Sequence, residues 1–207
     1  VTDINSQSDI QPQVYLASKS PRRRELLSQI GVPFEPLVVE VPEQCSDGES
    51  AEQYVTRLAE EKAEAGATLM QSRGLIVRPV VGADTVVVCD GNILEKPRHA
   101  THAMQMLQQL SGRSHEVLTA VSLCDGSHQR SRLASTRVHF RSLSDEEIRR
   151  YWHTGEPCDK AGAYAIQGLG AVFVDSIEGS YSNVVGLPIE QLVKLLQEFD
   201  IGVWNQG

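Results

Sequence analysis

Two stretches of this sequence gather residues that could act together on an anion. In Leu16-Ala17-Ser18-Lys19-Ser20-Pro21-Arg22-Arg23-Arg24-Glu25-Leu26-Leu27, serines and arginines crowd one point. Val14 to Ala17 reads as the end of a short buried strand. Ser20 suits a helix N-cap, its hydroxyl accepting from a free N–H, and Pro21 suits the first helical position. Such a helix end carries unpaired N–H groups and a positive dipole, so arginines there want an anionic partner. Phosphate accepts from N–H groups, hydroxyls and guanidinium forks alike. The alternative is a solvated basic first turn.

The second stretch is Val81-Gly82-Ala83-Asp84-Thr85-Val86-Val87, an acid between apolar runs, followed closely by Glu95-Lys96-Pro97. Asp90-Gly91 between them is a two-residue hairpin signal. Pairing around it would bring Asp84 and Glu95 to the same open end, with Lys96 beside them. Paired carboxylates with phosphate oxygens are the usual way to hold Mg²⁺. The alternatives are an Asx turn at Asp84 and a surface ion pair at Glu95-Lys96. Glu43 and Lys62, taken singly, read equally well as solvated charges. Glu156 to Gly168 is glycine-rich, with Tyr164 able to stack and Gln167 beside a glycine that permits close approach. This loop suits a planar polar ligand.

Other chemistries find little footing. The histidines form no HxxxH pair, no serine lies in a GxSxG elbow, and neither GxGxxG nor a Walker A sequence is present. Cys45, Cys89, Cys124 and Cys158 form no CxxC pair, which speaks against a zinc ribbon or a disulfide framework. With 207 residues and a net charge of −8, a polyanion site must be a local basic pocket, and nucleic acid is not an expected partner. No apolar run approaches a membrane span, and the polar start lacks a signal-peptide core. The expectation is a cytoplasmic protein.

The surrounding pattern interleaves strands and helices. Residues 1–12 read as a disordered tail and 13–207 as a single domain. Gly31 caps the first helix, Phe34 to Val41 is extended, and Ser50-Ala51-Glu52-Gln53 opens a helix to about Ala65. Val80 to Gly82 and Val86 to Cys89 read as separate strands. His99 to Leu110 is helical, Val117 to Leu123 and Leu133 to Phe140 flank an Asp125-Gly126 turn, and Ser144 caps a helix to His153. Ala171 to Val174 is a strand, Gly179 to Leu187 a loop, and Pro188 opens the last helix. A mixed α/β sheet follows.

In this order, the blocks Ser18-Lys19-Ser20-Pro21-Arg22-Arg23, Gly82-Ala83-Asp84-Thr85, Glu95-Lys96-Pro97, Glu156-Pro157 with Asp159-Lys160-Ala161-Gly162, and Gly179-Ser180-Tyr181 through Gly186-Leu187-Pro188 resemble the Maf family of nucleoside triphosphate pyrophosphatases. The resemblance implies an elongated mixed sheet with flanking helices and two lobes around a central cleft, like the inosine triphosphate pyrophosphatases. It implies hydrolysis of a nucleotide substrate to the monophosphate and pyrophosphate with Mg²⁺ or Mn²⁺, and a homodimer. Asp84 matches the family's general base or metal ligand. Ser18, Arg23, Lys62 and Lys96 match phosphate-binding positions, and Glu43, Asp84 and Glu95 match the metal carboxylates. Arg22, Thr85 and Gln167 match the branch acting on dTTP and UTP; the 7-methyl-GTP branch has tryptophan at the first of these. Lys19 departs from the family pattern, where a smaller residue is usual. The rival function is a nucleotide-binding regulator of cell division without turnover.

Overall fold

The computed structural model describes residues 11–204. The expected tail falls mostly on residues 1–10, outside the described residues. The elements run β1 (Val14–Leu16), α1 (Pro21–Gln29), β2 (Phe34–Pro36), α2 (Ala51–Ser72), β3 (Val80–Cys89), β4 (Asn92–Leu94), α3 (Ala100–Leu110), β5 (Ser114–Cys124), β6 (Gln129–Phe140), α4 (Asp145–His153), β7 (Val174–Glu178), α5 (Tyr181–Val185) and α6 (Ile189–Glu198). Short 3-10 turns cover Glu156–Asp159, Ala161–Ala163 and Leu169–Phe173. Among the described residues, no helix is long and apolar enough to cross a membrane.

One seven-stranded mixed sheet organises the chain, in the order β2-β1-β3-β5-β6-β7, with β4 also on β3. The pairs β1–β2 and β1–β3 are parallel and the others antiparallel. β5 takes one edge of β3 along Val80 to Val88. β1 takes the other edge at Val80 and Val81, and β4 takes it at Val87 to Cys89. The edge between Val81 and Val87 is therefore uncovered by a strand, and this gap holds Asp84 and Thr85. Side chains alternate along a strand, so Asp84 reaches the face covered by α2 and Thr85 the face covered by α1.

The two faces have different cores. Tyr54, Val55, Leu58 and Ala59 of α2 pack with Val86, Leu118 and Ala120. On the other face, Leu26 and Leu27, Met106 and Leu107, and Leu192 and Leu195 pack with Val81, Ala83 and Val87. The expected capping boxes are formed at Ser50/Gln53 and Ser144/Glu147. The Asp90-Gly91 turn has left-handed backbone at both residues, as a two-residue hairpin of this twist requires.

Several expectations are corrected. α2 continues past Ala65 to Ser72 because Gly66, Ala67 and Met70 go on burying its sheet face. Val80 to Cys89 is a single strand, because continuous pairing with β5 carries it through Gly82 and Asp84. Strand pairing of the extended stretch from Phe34 ends at Pro36. Leu169 to Phe173 curls into a 3-10 turn in place of a strand from Ala171, since Glu156 accepts from the N–H groups of Leu169 and Gly170. The Gly179–Leu187 stretch contains α5, whose N-cap Ser180 accepts from Asn183 N–H.

Small residues set the distance between α2 and β3. A Cβ on Gly82 would lie 2.3 Å from the Ala59 carbonyl oxygen and 2.5 Å from the Ala63 nitrogen. A Cβ on Gly66 would lie 2.6 Å from Val80 Cγ1. The helix thus rests almost directly on the strand. Gly82→Ala is expected to force the two apart and cost about 1–3 kcal/mol, as overpacked cores do. Urea unfolding of the variant measures this; unchanged stability would show that α2 can shift without cost.

Candidate active site

A cavity of about 640 Å³ opens along the uncovered stretch of β3. Its lining includes Ser18, Arg22, Arg23, Glu43, Lys62, Asp84, Thr85, Lys96 and Gln167, nine of the ten residues singled out from sequence. Glu95 is the exception. It is exposed and absent from the lining, and its backbone carbonyl accepts from Gly162 N–H at 3.2 Å. Glu95 follows β4 directly. Burial raises the pKa of the Tyr54 phenol, and Glu95, Asp84 and Glu43 are near enough to raise it further.

The end of β1 delivers Ser18, which is 7 % exposed. Its hydroxyl accepts from Ser20 N–H at 3.2 Å and from Arg23 Nη1 at 3.3 Å. Ser20 sits at the N-cap with extended backbone, but its hydroxyl makes no cap bond, so the expected side-chain cap is replaced by Ser18 holding the turn. Arg23 also donates through Nε to the Gly186 carbonyl at 2.8 Å and through Nη2 to the Thr85 hydroxyl at 3.2 Å. Burial and the neighbouring Arg22 lower its pKa, while Asp84 and Glu43 raise it. A guanidinium nevertheless stays charged at neutral pH.

Lys62 reaches from α2 between two carboxylates. Its Nζ lies 2.7 Å from Asp84 Oδ1 and 2.6 Å from Glu43 Oε1. Lys96 approaches the other oxygen of Glu43 at 3.3 Å. Burial pushes the Glu43 carboxyl up, but the bonds and charges of Lys62 and Lys96 outweigh it and hold the group below the usual range. Asp84 is 9 % exposed. A carboxylate so enclosed needs such a cation, since an unpaired buried charge is costly.

Basic side chains outnumber acids along the lining: Lys19, Arg22, Arg23, Lys62, Lys96 and Lys160 against Glu40, Glu43, Asp84 and Asp159. The pocket is thus locally cationic in an acidic chain. The rest of the lining is different in kind, with Tyr164, Ala165, Ile166, Val184 and Val185, and Gln167 as the single side-chain amide. Tyr164 is backed by buried His115, whose Nε2 lies 2.8 Å from the phenol oxygen. Burial pushes His115 down to about 4, so it supports the wall as neutral imidazole.

Behind Thr85 lies a polar chain that sequence reasoning missed. Thr119 donates to the Asn183 carbonyl at 2.8 Å and lies 3.0 Å from the Thr85 hydroxyl. Its one proton is committed to Asn183, so Thr85 must donate to Thr119 while accepting from Arg23. Asn183 Nδ2 in turn donates to the Val117 carbonyl and the Thr136 hydroxyl, both at 2.9 Å. The bonds tie α1, β3, β5 and α5 together around the cavity. A threonine inside the apolar run of β5 was the available signal.

The carboxylate pair also bears on metal binding. Among the described residues, no three His, Cys, Asp or Glu side chains converge on one point. Glu43 and Asp84 do converge, on the ammonium of Lys62. Two hard oxygen donors fit a small divalent cation that shares its remaining positions with phosphate and water, and do not form a complete protein cage.

Thr119→Val is expected to leave the Thr85 hydroxyl proton without its acceptor and to take one of the two bonds of the Asn183 carbonyl, which keeps Gly186 N–H at 3.0 Å, at a cost of about 1–3 kcal/mol. Denaturant unfolding beside Thr119→Ser, which keeps the hydroxyl, tests this. Equal stability of the valine and serine variants would show that the chain of bonds is energetically idle.

The Maf-like protein family matches residues 13–199. A protein of Shigella sonnei named dTTP/UTP pyrophosphatase is 54% identical over 187 residues, covering 90% of this chain and 93% of its own. A Vibrio vulnificus protein of the same name is 51% identical over 187 residues, covering 90% of this chain and 98% of its own. The family match spans every strand of the sheet and every residue of the cavity lining, and the chain belongs to the Maf family.

Proposed function

We propose that this protein hydrolyses dTTP and UTP to the nucleoside monophosphate and pyrophosphate. The observation that carries the reading is the polarity of one cavity. Its lining combines six cationic side chains, a buried carboxylate at Asp84, and an apolar group with a single amide. A nucleoside triphosphate has the same polarity: a polyanionic chain, a sugar and a planar base. The volume lies in the ordinary range for small-ligand sites. Relatives more than half identical to this chain carry the name dTTP/UTP pyrophosphatase, which favours turnover over a regulator that only binds.

In this reading Ser18, Arg22 and Arg23 grip phosphate oxygens at the helix N-terminus, and Lys96 completes the cationic rim. Lys62 stabilises charge that builds on the leaving pyrophosphate. Asp84 accepts the proton of the attacking water, its carboxylate held in place by Lys62. Glu43 and Asp84 would hold Mg²⁺ or Mn²⁺ together with substrate phosphate. A bound divalent cation supplies charge neutralisation and a more acidic water. Glu95, exposed at the rim beside Lys96, could join Glu43 and Asp84 through water.

Gln167 faces the base. Uracil and thymine offer an N3–H donor between carbonyl acceptors, and an amide can accept from the one and donate to another. Cytosine would be met by the flipped amide, so selectivity depends on what fixes the orientation of Gln167.

The test is product identification by chromatography after incubation with dTTP, UTP, dCTP and GTP and either cation. Pyrophosphate and monophosphate are expected from dTTP and UTP above the others. Orthophosphate with the diphosphate nucleotide would overturn the assigned bond, and loss of metal dependence would overturn the cation. Asp84→Asn is nearly isosteric and is expected to lower kcat by at least about 100-fold, the scale of a lost general base or electrostatic partner. Near wild-type kcat at saturating metal would remove Asp84 from the chemistry.

A further inference from the structure

The segment carrying Gln167 is tied down by two residues that lie outside the cavity. Glu156 sits in a 3-10 turn after α4, and Tyr151 is the seventh residue of that helix. Neither belongs to the cavity lining. Tyr151 donates its phenol proton to Glu156 Oε1 at 2.6 Å. The same phenol oxygen accepts from Ala165 N–H at 3.1 Å. The Glu156 carboxylate then accepts from Leu169 N–H through Oε2 and from Gly170 N–H through Oε1, each at 2.9 Å. Gln167 thus lies between a backbone anchor two residues before it and anchors two and three residues after it.

The fit allows little else. A Cβ on Gly168 would lie 2.1 Å from Glu156 Oε2, and one on Gly170 would lie 2.7 Å from the Tyr151 oxygen. Both glycines are therefore explained by the approach of these side chains. The two rings of the pair's surroundings are fixed as well, since Tyr151 packs edge-on against Phe173 at 4.8 Å. Burial pushes the Glu156 carboxyl up, yet the bonds from Tyr151, Leu169 and Gly170 hold it below the usual range. It is a charged acceptor at neutral pH, and charge-assisted bonds of this kind are the stronger ones.

We propose that Glu156 and Tyr151 are positioning residues that fix the backbone on either side of Gln167, and so the place from which it meets the base, and thereby the preference for uracil and thymine. The proposal rests on the reading of the cavity as a nucleoside triphosphate site with the base at Gln167. The bonds act on the backbone either side of Gln167, at Ala165, Leu169 and Gly170, and so fix where its side chain enters the cavity and how closely it meets the base. The Glu156 carboxylate is an acceptor only. Glu156→Gln puts an amide donor among three donors, Tyr151 O–H, Leu169 N–H and Gly170 N–H, and must release at least one. Tyr151→Phe removes the bond to Ala165 and one bond to Glu156 while keeping the ring on Phe173.

The experiment compares wild type, Glu156→Gln and Tyr151→Phe on dTTP, UTP, dCTP and the base-free substrate ribose 5-triphosphate. Thermal unfolding establishes that each variant is folded; if Glu156→Gln is not, Tyr151→Phe carries the test. Each folded variant is expected to lose about 10-fold or more in kcat/KM on dTTP and UTP, mostly through KM, the size of one mismatched polar contact. Activity on ribose 5-triphosphate is expected to stay within about 3-fold of wild type, and the dTTP to dCTP preference to shrink. An equal loss on the base-free substrate, or an unchanged preference in both variants, would overturn the positioning role. Failure of the wild type itself to prefer dTTP over dCTP would instead overturn the placement of the base at Gln167.

Discussion

The close seat of α2 on β3 is the constraint on which the site depends. Gly82 has no side chain, and the helix backbone fills the space where one would be. This approach lets Lys62 place its ammonium against Asp84 and Glu43 at once. Asp84 sits in a strand whose other residues are mostly buried and apolar. Without Lys62 its charge would be unpaired in that setting, and breaking such a pair is strongly destabilising. The same three residues are the ones a divalent cation and a phosphate chain would rearrange, so stability and chemistry converge on one contact.

The second constraint is topological. β1 and β4 share an edge of β3 without meeting, and the gap leaves that edge of the strand free of a neighbouring strand at Asp84 and Thr85. The chain leaves β1 within that gap and turns directly into α1, so a helix N-terminus and Arg23 face the same opening. Anion binding at a helix N-terminus beyond a strand end is a general solution. Here it also explains how a chain with net charge −8 keeps a cationic pocket. The buried bonds from Thr85 through Thr119 to Asn183 then fix α5, whose following glycine accepts from Arg23.

Features carried by adjacent residues were legible before the structure. The capping boxes at Ser50 and Ser144 and the Asp90-Gly91 hairpin all depend on local spacing. Mixed α/β architecture followed from the alternation of such signals. Properties set by distant partners were not legible. The continuity of β3 comes from β5, and the length of α2 from its small-residue face on the sheet. Glu95 follows the hairpin as read, but whether a side chain lines a cavity depends on distant segments, and Glu95 is not among the lining residues. Glu156 looked like part of a glycine-rich loop, and only the fold reveals that its carboxylate reaches the backbone 13 and 14 residues ahead.

The central claim is that a nucleoside triphosphate lies in this cavity in one orientation, phosphates toward Ser18 and Arg23 and base toward Gln167. A crystal structure of Asp84→Asn with a dTTP analogue bridged by carbon between the α and β phosphates measures this directly. The account predicts the α-phosphate beside residue 84, the outer phosphates on Ser18, Arg22 and Arg23, and thymine against the Gln167 amide. A terminal phosphate beside residue 84, or thymine stacked on the Ser18–Arg23 turn, would contradict it.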